Sequence, residues 1–226
     1  MNNHAKARLK AGGTVIAVNP GGVSVPAADM LARLGADCLF IDCERTAISV
    51  DAVPAMARAA QAGGISAIVR SESRDPAILT RYLDCGIDGL VLPQVESAAE
   101  CAMLVATARA ATKGREKDLL LIAQIESVGG IAVLDAIATA PGIDLVLIGP
   151  NDLAHSMGFL GDTSRPELKQ AVDACAGALV ALGKPFGLPV TAATIADWRR
   201  KGAGFFYTSL EGLLAPSLAE LRRAIS

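Results

Sequence analysis

Two apolar runs decide the fold of this chain: Leu119-Leu-Leu-Ile-Ala-Gln-Ile-Glu126 and Ile143-Asp-Leu-Val-Leu-Ile-Gly-Pro-Asn-Asp-Leu153. Each is a nearly continuous apolar segment closed by a carboxylate, a pattern typical of a parallel strand that is buried on both faces. The residues between them, 127–142, carry apolar side chains near helical spacing and can form the crossover helix that parallel strands need. We therefore expect Glu126 and Asp152 at the C-terminal ends of neighbouring strands.

Two carboxylates at adjacent strand ends indicate a site for a divalent cation. Mg²⁺ and Mn²⁺ prefer oxygen ligands, and Mg²⁺ usually keeps several waters that a substrate can displace. The sequence thus predicts a metal site at Glu126 and Asp152. A purely structural interpretation fits the same spacing equally well, with Glu126 capping one helix and Asp152 beginning another.

The same strand-turn-helix unit recurs along the chain. The other predicted strands are short apolar runs, each followed by a turn and then by helical spacing, at residues 14–18, 38–42, 66–70, 89–93, 185–190 and 204–208. Eight such units without a linker predict a single (β/α)₈ barrel domain over residues 1–226. The alternative is an open flavodoxin-like or Rossmann sheet. Against a Rossmann sheet, the first turn, Asn19-Pro-Gly-Gly-Val-Ser24, lacks the G-x-G-x-x-G pattern.

Composition narrows the class of protein. Hydrophobic residues make up 52% of the chain, aromatic residues only 4%, and 22 residues are glycine, as expected for an α/β core cut by tight turns. The net charge of −2 does not indicate a class of partner, but the basic residues are scattered and form no stripe, so we expect neither nucleic acid nor a membrane as partner. Five widely spaced cysteines without a C-x-x-C pair are expected to be reduced, and the predicted location is cytoplasmic.

Polar residues cluster where the predicted strands end. In a barrel, these ends meet at one mouth, which carries the functional groups. Acids and arginines at one mouth are typical of a metal together with a carboxylate-bearing substrate, because arginine forms bidentate pairs with carboxylates. A structural alternative is that Arg70 forms ion pairs with Glu44 or Glu72. The full set is Asn19, Asp42, Glu44, Arg45, Arg70, Glu72, Gln94, Glu96, Gln124, Glu126, Asn151, Asp152 and Thr191.

Five motifs carry a resemblance to a known family: Phe40-Ile-Asp-Cys-Glu44, Ile68-Val-Arg70, Leu90-Val-Leu-Pro93, Gln124-Ile-Glu126, and Ile148-Gly-Pro-Asn-Asp-Leu153 continuing to Met157-Gly-Phe159. Together they resemble the HpcH/HpaI family of metal-dependent pyruvate aldolases, which are relatives of the citrate lyase β-chain and the malyl-CoA lyases. The resemblance covers nearly the whole chain.

The resemblance implies a role for each matching residue. Glu126 and Asp152 would bind the metal, and Arg70 would hold a 2-oxo acid and stabilise its enolate. Such stabilisation acts where negative charge develops during the reaction. The predicted catalytic residues are Arg70, Arg45, Asp42 and Glu44. The predicted pyruvate pocket is lined by Arg70, Gln124, Gly149, Pro150, Asn151 and Asp152.

The chain departs from the family pattern at two places. Where the aldolases usually carry a histidine base after Asp-x-Glu, this chain has Arg45, which stays protonated and cannot accept a proton. His155 lies one helical turn beyond Asp152, and we favour a surface or packing role for it over a role in the site. The second departure is the segment 111–118, which is shorter than the corresponding excursion in many aldolases of the family.

The predicted function is that of a metal-dependent carbon-carbon lyase acting through the enolate of a small 2-oxo acid such as pyruvate or oxaloacetate. One alternative is a Claisen-type citrate synthase or a citryl- or malyl-CoA lyase, with Arg45 binding a distal carboxylate. An alternative of another class is a barrel that binds a metabolite without turnover. The leucine-rich segment 210–221, and the oligomers common in the family, predict a homo-oligomer, either a trimer or a hexamer.

Overall fold

The computed structural model describes residues 3–225. Its strands are β1 (Val15–Asn19), β2 (Cys38–Asp42), β3 (Ser66–Arg70), β4 (Gly89–Leu92), β5 (Leu120–Ile125), β6 (Leu145–Ile148), β7 (Phe186–Pro189) and β8 (Phe205–Ser209). Its α-helices are α1 (His4–Lys10), α2 (Val25–Arg33), α3 (Val53–Ala62), α4 (Pro76–Asp84), α5 (Ala98–Ala111), α6 (Val128–Ala132), α7 (Leu134–Ala138), α8 (Pro150–Ser156), α9 (Pro166–Ala181), α10 (Ile195–Arg200) and α11 (Leu210–Ala224).

The eight strands form a closed barrel in sequence order. Every neighbouring pair is parallel, including β1 with β8, whose pairing closes the sheet. The predicted (β/α)₈ barrel is therefore confirmed, and the open-sheet alternative is wrong because an open sheet would leave β1 and β8 as edges. Strands β5 and β6 are neighbours, with Ile125 opposite Ile148. Glu126 and the loop that leads to Asp152 thus leave adjacent strands, as predicted.

The alternation of side chains along each strand divides the buried residues into two groups. One group fills the barrel interior and includes Val15, Phe40, Ile68, Ile122 and Phe205. The other lies between the barrel and the helices that surround it. Because both strand faces are buried, the strands read in the sequence as continuous apolar runs.

Helix boundaries follow local capping chemistry where the sequence predicts it. The side chains of Asp75 and Ser97 accept hydrogen bonds from the backbone N–H groups of Ala77 and Glu100, at the starts of α4 and α5. Ser49 lies before the short 3₁₀ turn that precedes α3, and its side chain makes no capping hydrogen bond.

Helix α1 is not predicted by the sequence pattern, and it closes the N-terminal end of the barrel. Asn3 Nδ2 donates to the carbonyl oxygen of Asp88 over 2.6 Å, and Lys6 Nζ lies 2.8 Å from Asp144 Oδ2. His4 Nε2 lies 3.2 Å from Asp37 Oδ1. The polar and charged residues of α1 and its cap thus face buried polar groups of the barrel floor, which leaves the C-terminal mouth as the open end.

Other differences concern the helices beside the mouth. The crossover expected over residues 127–142 is divided into α6 and α7. Helix α8 is not predicted as a separate element. Asp152 lies in its first turn, whereas the side chain that caps α6 is that of Ser127 and not Glu126, so the structural interpretation holds for Asp152 alone. Within residues 3–225, the structure contains no helix of the length and hydropathy that a membrane crossing needs.

Candidate active site

Arg70, the last residue of β3, is held by carboxylates from β2 and the turn that follows it. Its Nε donates to Asp42 Oδ1 over 2.9 Å and its Nη2 to Asp42 Oδ2 over 2.5 Å, a bidentate pair. Its Nε also lies 3.2 Å from Glu44 Oε2. The expected ion pair with Glu44 is therefore present, whereas Glu72 is not among the partners of Arg70 in the described chain. Burial lowers the pKa of Arg70, but Asp42 more than offsets this, so the pKa is raised and the cation persists.

The turn after β2 organises these two carboxylates. Asp42 Oδ1 accepts hydrogen bonds from the backbone N–H groups of Glu44 and Arg45, each over 3.2 Å, as in an Asx turn. Glu44 is half-buried, and its Oε2 has no hydrogen-bond partner among residues 3–225. Burial raises the pKa of Glu44, although the charges of Arg70 and Arg45 lower it.

Glu126 follows β5 directly and is buried. Its Oε1 accepts from the backbone N–H of Gln94 over 2.8 Å, and its Oε2 accepts from Gln124 Nε2 over 2.6 Å. Gly149 makes this arrangement possible, because a Cβ there would lie 2.8 Å from Glu126 Oε2. Burial first, and then the charges of Glu44 and Asp152, raise the pKa of Glu126 to about 7, while the Gln94 N–H lowers it.

Asp152 is reached by Arg45 from across the mouth. Arg45 Nη2 donates to Asp152 Oδ1, an ion pair between residues that are 107 positions apart in sequence. The hydrogen bond to Asp152 raises the pKa of Arg45. Neither prediction for Arg45 includes this contact: one places it where a histidine base usually stands, and the other has it bind a carboxylate of the substrate.

The residues at the mouth fit a cation that keeps part of its water shell. Within residues 3–225, no three His, Cys, Asp or Glu side chains are grouped to hold a metal. Glu126 and Asp152 nevertheless face a common cavity, and the buried Gln124 Oε1 beside them has no hydrogen-bond partner in the described chain. The oxygen donors and the accumulated negative charge that raises the pKa of Glu126 match the preference of Mg²⁺ or Mn²⁺.

A cavity of about 320 Å³ opens at the mouth. All of the predicted substrate-binding residues line it, whereas Asp42 and Glu44 are not among its lining residues. The lining consists of Arg45, Arg70, Gln124, Glu126, Gly149, Pro150, Asn151, Asp152, His155, Pro189 and Tyr207. Glu126 and Asp152 also border a second cavity of about 260 Å³, with Arg74, Gln94, Glu96, Ser127 and Ser156.

Tyr207 and His155 are two lining residues that sequence reasoning missed or set aside. The hydroxyl of Tyr207 accepts a hydrogen bond from Asn19 Nδ2 over 2.9 Å, and Asn19 Nδ2 is also 3.4 Å from Asp42 Oδ2. Burial raises the pKa of Tyr207, so the phenol keeps its proton at neutral pH. The available signal was alternation: Phe205 points into the barrel, so Tyr207 two residues later does so as well.

Comparison with known proteins identifies the family to which this chain belongs. The model of the family described as HpcH/HpaI aldolase/citrate lyase matches residues 22–204. The chain belongs to this family. It is 34% identical to a pyruvate aldolase of Rhizobium etli, over 82% of each sequence. This HpcH/HpaI family member is therefore a carbon-carbon lyase of the aldolase type, and the alternative of a barrel without turnover is wrong.

Solved structures agree with the family assignment. An HpcH/HpaI aldolase/citrate lyase family protein from Burkholderia cenocepacia J2315 is 27% identical with a TM-score of 0.88, covering 99% of this chain and 100% of that one. The citrate synthase SbnG is 26% identical with a TM-score of 0.87, covering 97% of each chain.

Proposed function

We propose that this lyase forms and cleaves the carbon-carbon bond next to the enolate of a small 2-oxo acid such as pyruvate or oxaloacetate. One observation carries the proposal: the partly buried, permanently charged guanidinium of Arg70 and the carboxylates of Glu126 and Asp152 face the same 320 Å³ cavity. A cation and a metal site in one small cavity suit a planar acid that gains negative charge during the reaction. The R. etli relative named pyruvate aldolase supports the same class of substrate.

The proposed cofactor is a divalent metal, Mg²⁺ or Mn²⁺, held by Glu126 and Asp152. When bound, it supplies Lewis-acid stabilisation of the developing oxyanion. Gln124 orients Glu126 through the 2.6 Å hydrogen bond, and its own buried Oε1 has no hydrogen-bond partner among residues 3–225. Gly149 keeps the pocket wall thin where a side chain would displace Glu126.

In this proposal, Arg70 binds the substrate carboxylate or the enolate oxygen, and Asp42 and Glu44 keep it oriented. Asp42 accepts hydrogen bonds from Nε and Nη2 of Arg70, which leaves Nη1 to bind the substrate in this proposal. Because Asp42 is buried and bonded on both oxygens, the guanidinium is positioned before substrate arrives and little is lost in ordering it.

A Claisen-type synthase is the second candidate, and the similarity to the citrate synthase SbnG supports it. Such a reaction uses a substrate with a distal carboxylate. Arg45 is the cation available at the mouth, but it pairs with Asp152, and it would have to leave this partner to bind a carboxylate. The aldolase reaction requires no such change, and we therefore prefer it.

The test is exchange of the pyruvate methyl protons with deuterated solvent, followed by NMR. Enolisation needs no aldehyde, so the assay does not depend on knowing the acceptor. We expect exchange that requires Mg²⁺ or Mn²⁺, is lost with chelator and falls by at least about 10²-fold in Arg70→Gln, which loses the charge next to the enolate. Arg109→Gln, which removes a surface arginine paired with Glu116, is the matched control. Absence of metal-dependent exchange in the wild type would refute the proposal.

We also propose that the chain is a homo-oligomer, a trimer or a hexamer, in which α11 packs on another copy. Helix α11 has no buried side chain, and four of its leucines are 47–65% exposed: Leu213, Leu214, Leu218 and Leu221. On β1, Ile16 is 38% exposed, whereas strand residues of this barrel are otherwise largely covered. A helix from a second copy would cover both apolar surfaces.

A further inference from the structure

Aldol cleavage requires a group that removes the proton of the substrate hydroxyl, and few residues of the 320 Å³ cavity can do so. Arg45 carries no free lone pair for a proton. Tyr207 stays protonated because its pKa is raised. Glu126 and Asp152 are the proposed metal ligands. Asp42 and Glu44 are bound to Arg70 and lie outside the lining of the cavity.

His155 is the remaining titratable residue that lines this cavity. It lies three residues after Asp152 on α8, and side chains three apart share one face of a helix. Its imidazole has no hydrogen-bond or ion-pair partner among residues 3–225 and is exposed to solvent at the mouth. An imidazole has one ring nitrogen that can accept a proton and one ring N–H that can donate one.

The loop after α8 is shaped around this ring. Gly161 has a φ of +83°, a conformation that L side chains rarely adopt. A Cβ at this residue would lie 2.7 Å from His155 Nε2 and 3.2 Å from its Cε1, so any side chain there would push the ring from its place. Glycine at 161 therefore lets the backbone turn and lets the imidazole lie beside it.

We propose that His155 is the acid-base residue of the aldol step, taking the place of the histidine that Arg45 has replaced; this rests on the proposed function. In the cleavage direction, neutral His155 accepts the proton of the 4-hydroxyl group of a 4-hydroxy-2-oxo acid. The oxygen electron pair forms the aldehyde C=O, the C3–C4 bond breaks, and its electron pair becomes the enolate of the 2-oxo acid. Solvent then protonates the enolate carbon, and His155 releases the proton it took to solvent. In the synthetic direction, protonated His155 returns its proton to the new alkoxide.

The test compares aldol turnover with enolisation in the same samples. The metal-loaded protein is assayed with pyruvate and each of three aldehydes: glycolaldehyde, glyceraldehyde and succinic semialdehyde. Aldol formation from the most reactive aldehyde and cleavage of its product are then measured. We expect His155→Gln to lower the ratio of aldol turnover to pyruvate proton exchange by about 10²–10⁴-fold, the usual contribution of a positioned base. The dependence of wild-type turnover on pH should change in the variant. His4→Gln, the same change at the barrel floor, is the control.

Two further measurements separate catalysis from a loss of structure. Added imidazole should restore part of the turnover of His155→Ala, which only a missing base explains, and Arg45→His should restore turnover to His155→Gln. An unchanged ratio and pH profile in His155→Gln would overturn the inference, as would wild-type exchange without turnover of any of the three aldehydes. Loss of exchange together with turnover in His155→Gln would also overturn it. Absence of exchange in the wild type would instead refute the proposed function.

Discussion

The contact between Arg45 and Asp152 joins the turn after β2 to the first turn of α8. Arg45 is half-exposed, so its ion pair with Asp152 is screened and contributes roughly 0.2–1 kcal/mol. This contact nevertheless places a cation on a carboxylate that we propose as a metal ligand. A metal held by Asp152 would therefore compete with the Arg45 guanidinium for this carboxylate.

We accordingly expect Arg45→Gln to bind Mn²⁺ more tightly than the wild type, by up to about fivefold, the factor that roughly 1 kcal/mol represents. Isothermal calorimetry of the metal-free proteins measures this directly. Arg109→Gln serves as the surface control. Equal or weaker affinity in Arg45→Gln would show that Arg45 does not compete with the metal.

Glu126 makes the metal-free protein sensitive to pH. Because its pKa is raised to about 7 by burial and by its acidic neighbours, the folded protein holds this proton more tightly than the unfolded chain. The resulting stability is present below the ordinary pKa of glutamate and is lost as pH rises through about 7. Without metal, we expect the thermal midpoint to fall by a few degrees between pH 5.5 and 8 on this account.

The matched variant is Glu126→Gln, which cannot ionise. We expect it to flatten this part of the pH dependence in the presence of chelator and to abolish the stabilisation that Mg²⁺ gives the wild type at pH 8, because a ligand must be ionised to bind the metal. Differential scanning fluorimetry with chelator or with Mg²⁺ follows both effects. Identical pH profiles for the two proteins would contradict the assignment of the raised pKa.

At the scale of elements, helix α1 links charged side chains to the floor of the barrel. Lys6 is buried, and its Nζ reaches both Asp144 Oδ2 and the carbonyl oxygen of Leu119. Asp144 in turn accepts the backbone N–H of Leu121 in β5. Three segments therefore meet at one ammonium group, and its removal leaves acceptors without their cationic partner.

We expect Lys6→Met to lower the free energy of unfolding by about 1.5–3 kcal/mol, the range for a hydrogen bond to a charged group, because Asp144 is 24% exposed. Lys10→Met, at the exposed end of the same helix, should change it by less than about 0.5 kcal/mol. Urea unfolding followed by circular dichroism measures both variants. Equal stability of the two would show that α1 is not held by Lys6.

At the scale of the whole molecule, helix α11, which follows the last strand of the barrel, leaves its apolar side chains exposed. Leu214 and Leu218 are four residues apart and share one exposed face. Placing two charges on this face should prevent its burial against another copy, because a buried unpaired charge is costly.

We therefore expect the wild type to have three or six times the subunit mass of 23.1 kDa, and the double variant Leu214→Glu/Leu218→Glu to be smaller. Light scattering after gel filtration determines both masses. Glu211→Gln on the same helix is a control that keeps the apolar face. A wild-type monomer at micromolar concentration would refute the oligomer.

The sequence alone was enough to predict the (β/α)₈ barrel and the polar residues that lie at the C-terminal ends of its strands. This was possible because both depend on local rules: strand and helix periods are read within one segment, and parallel strands bring all their C-terminal ends to one side. These rules suffice to place Arg70, Gln124 and Glu126 at the mouth. Helix α1 was not predicted because its buried residues are only Ala5 and Lys6, and a lysine usually indicates an exposed face.

Only the tertiary structure decided the partners of these side chains. Arg45 meets Asp152 across 107 residues, and His155 and Tyr207 join the same cavity from α8 and β8. The periodicity of one segment carries no information about where a loop from another segment turns, so such pairs follow from loop geometry and barrel closure. The position of the mouth therefore follows from the pattern within each element, whereas the pairing of its side chains follows from contacts between elements.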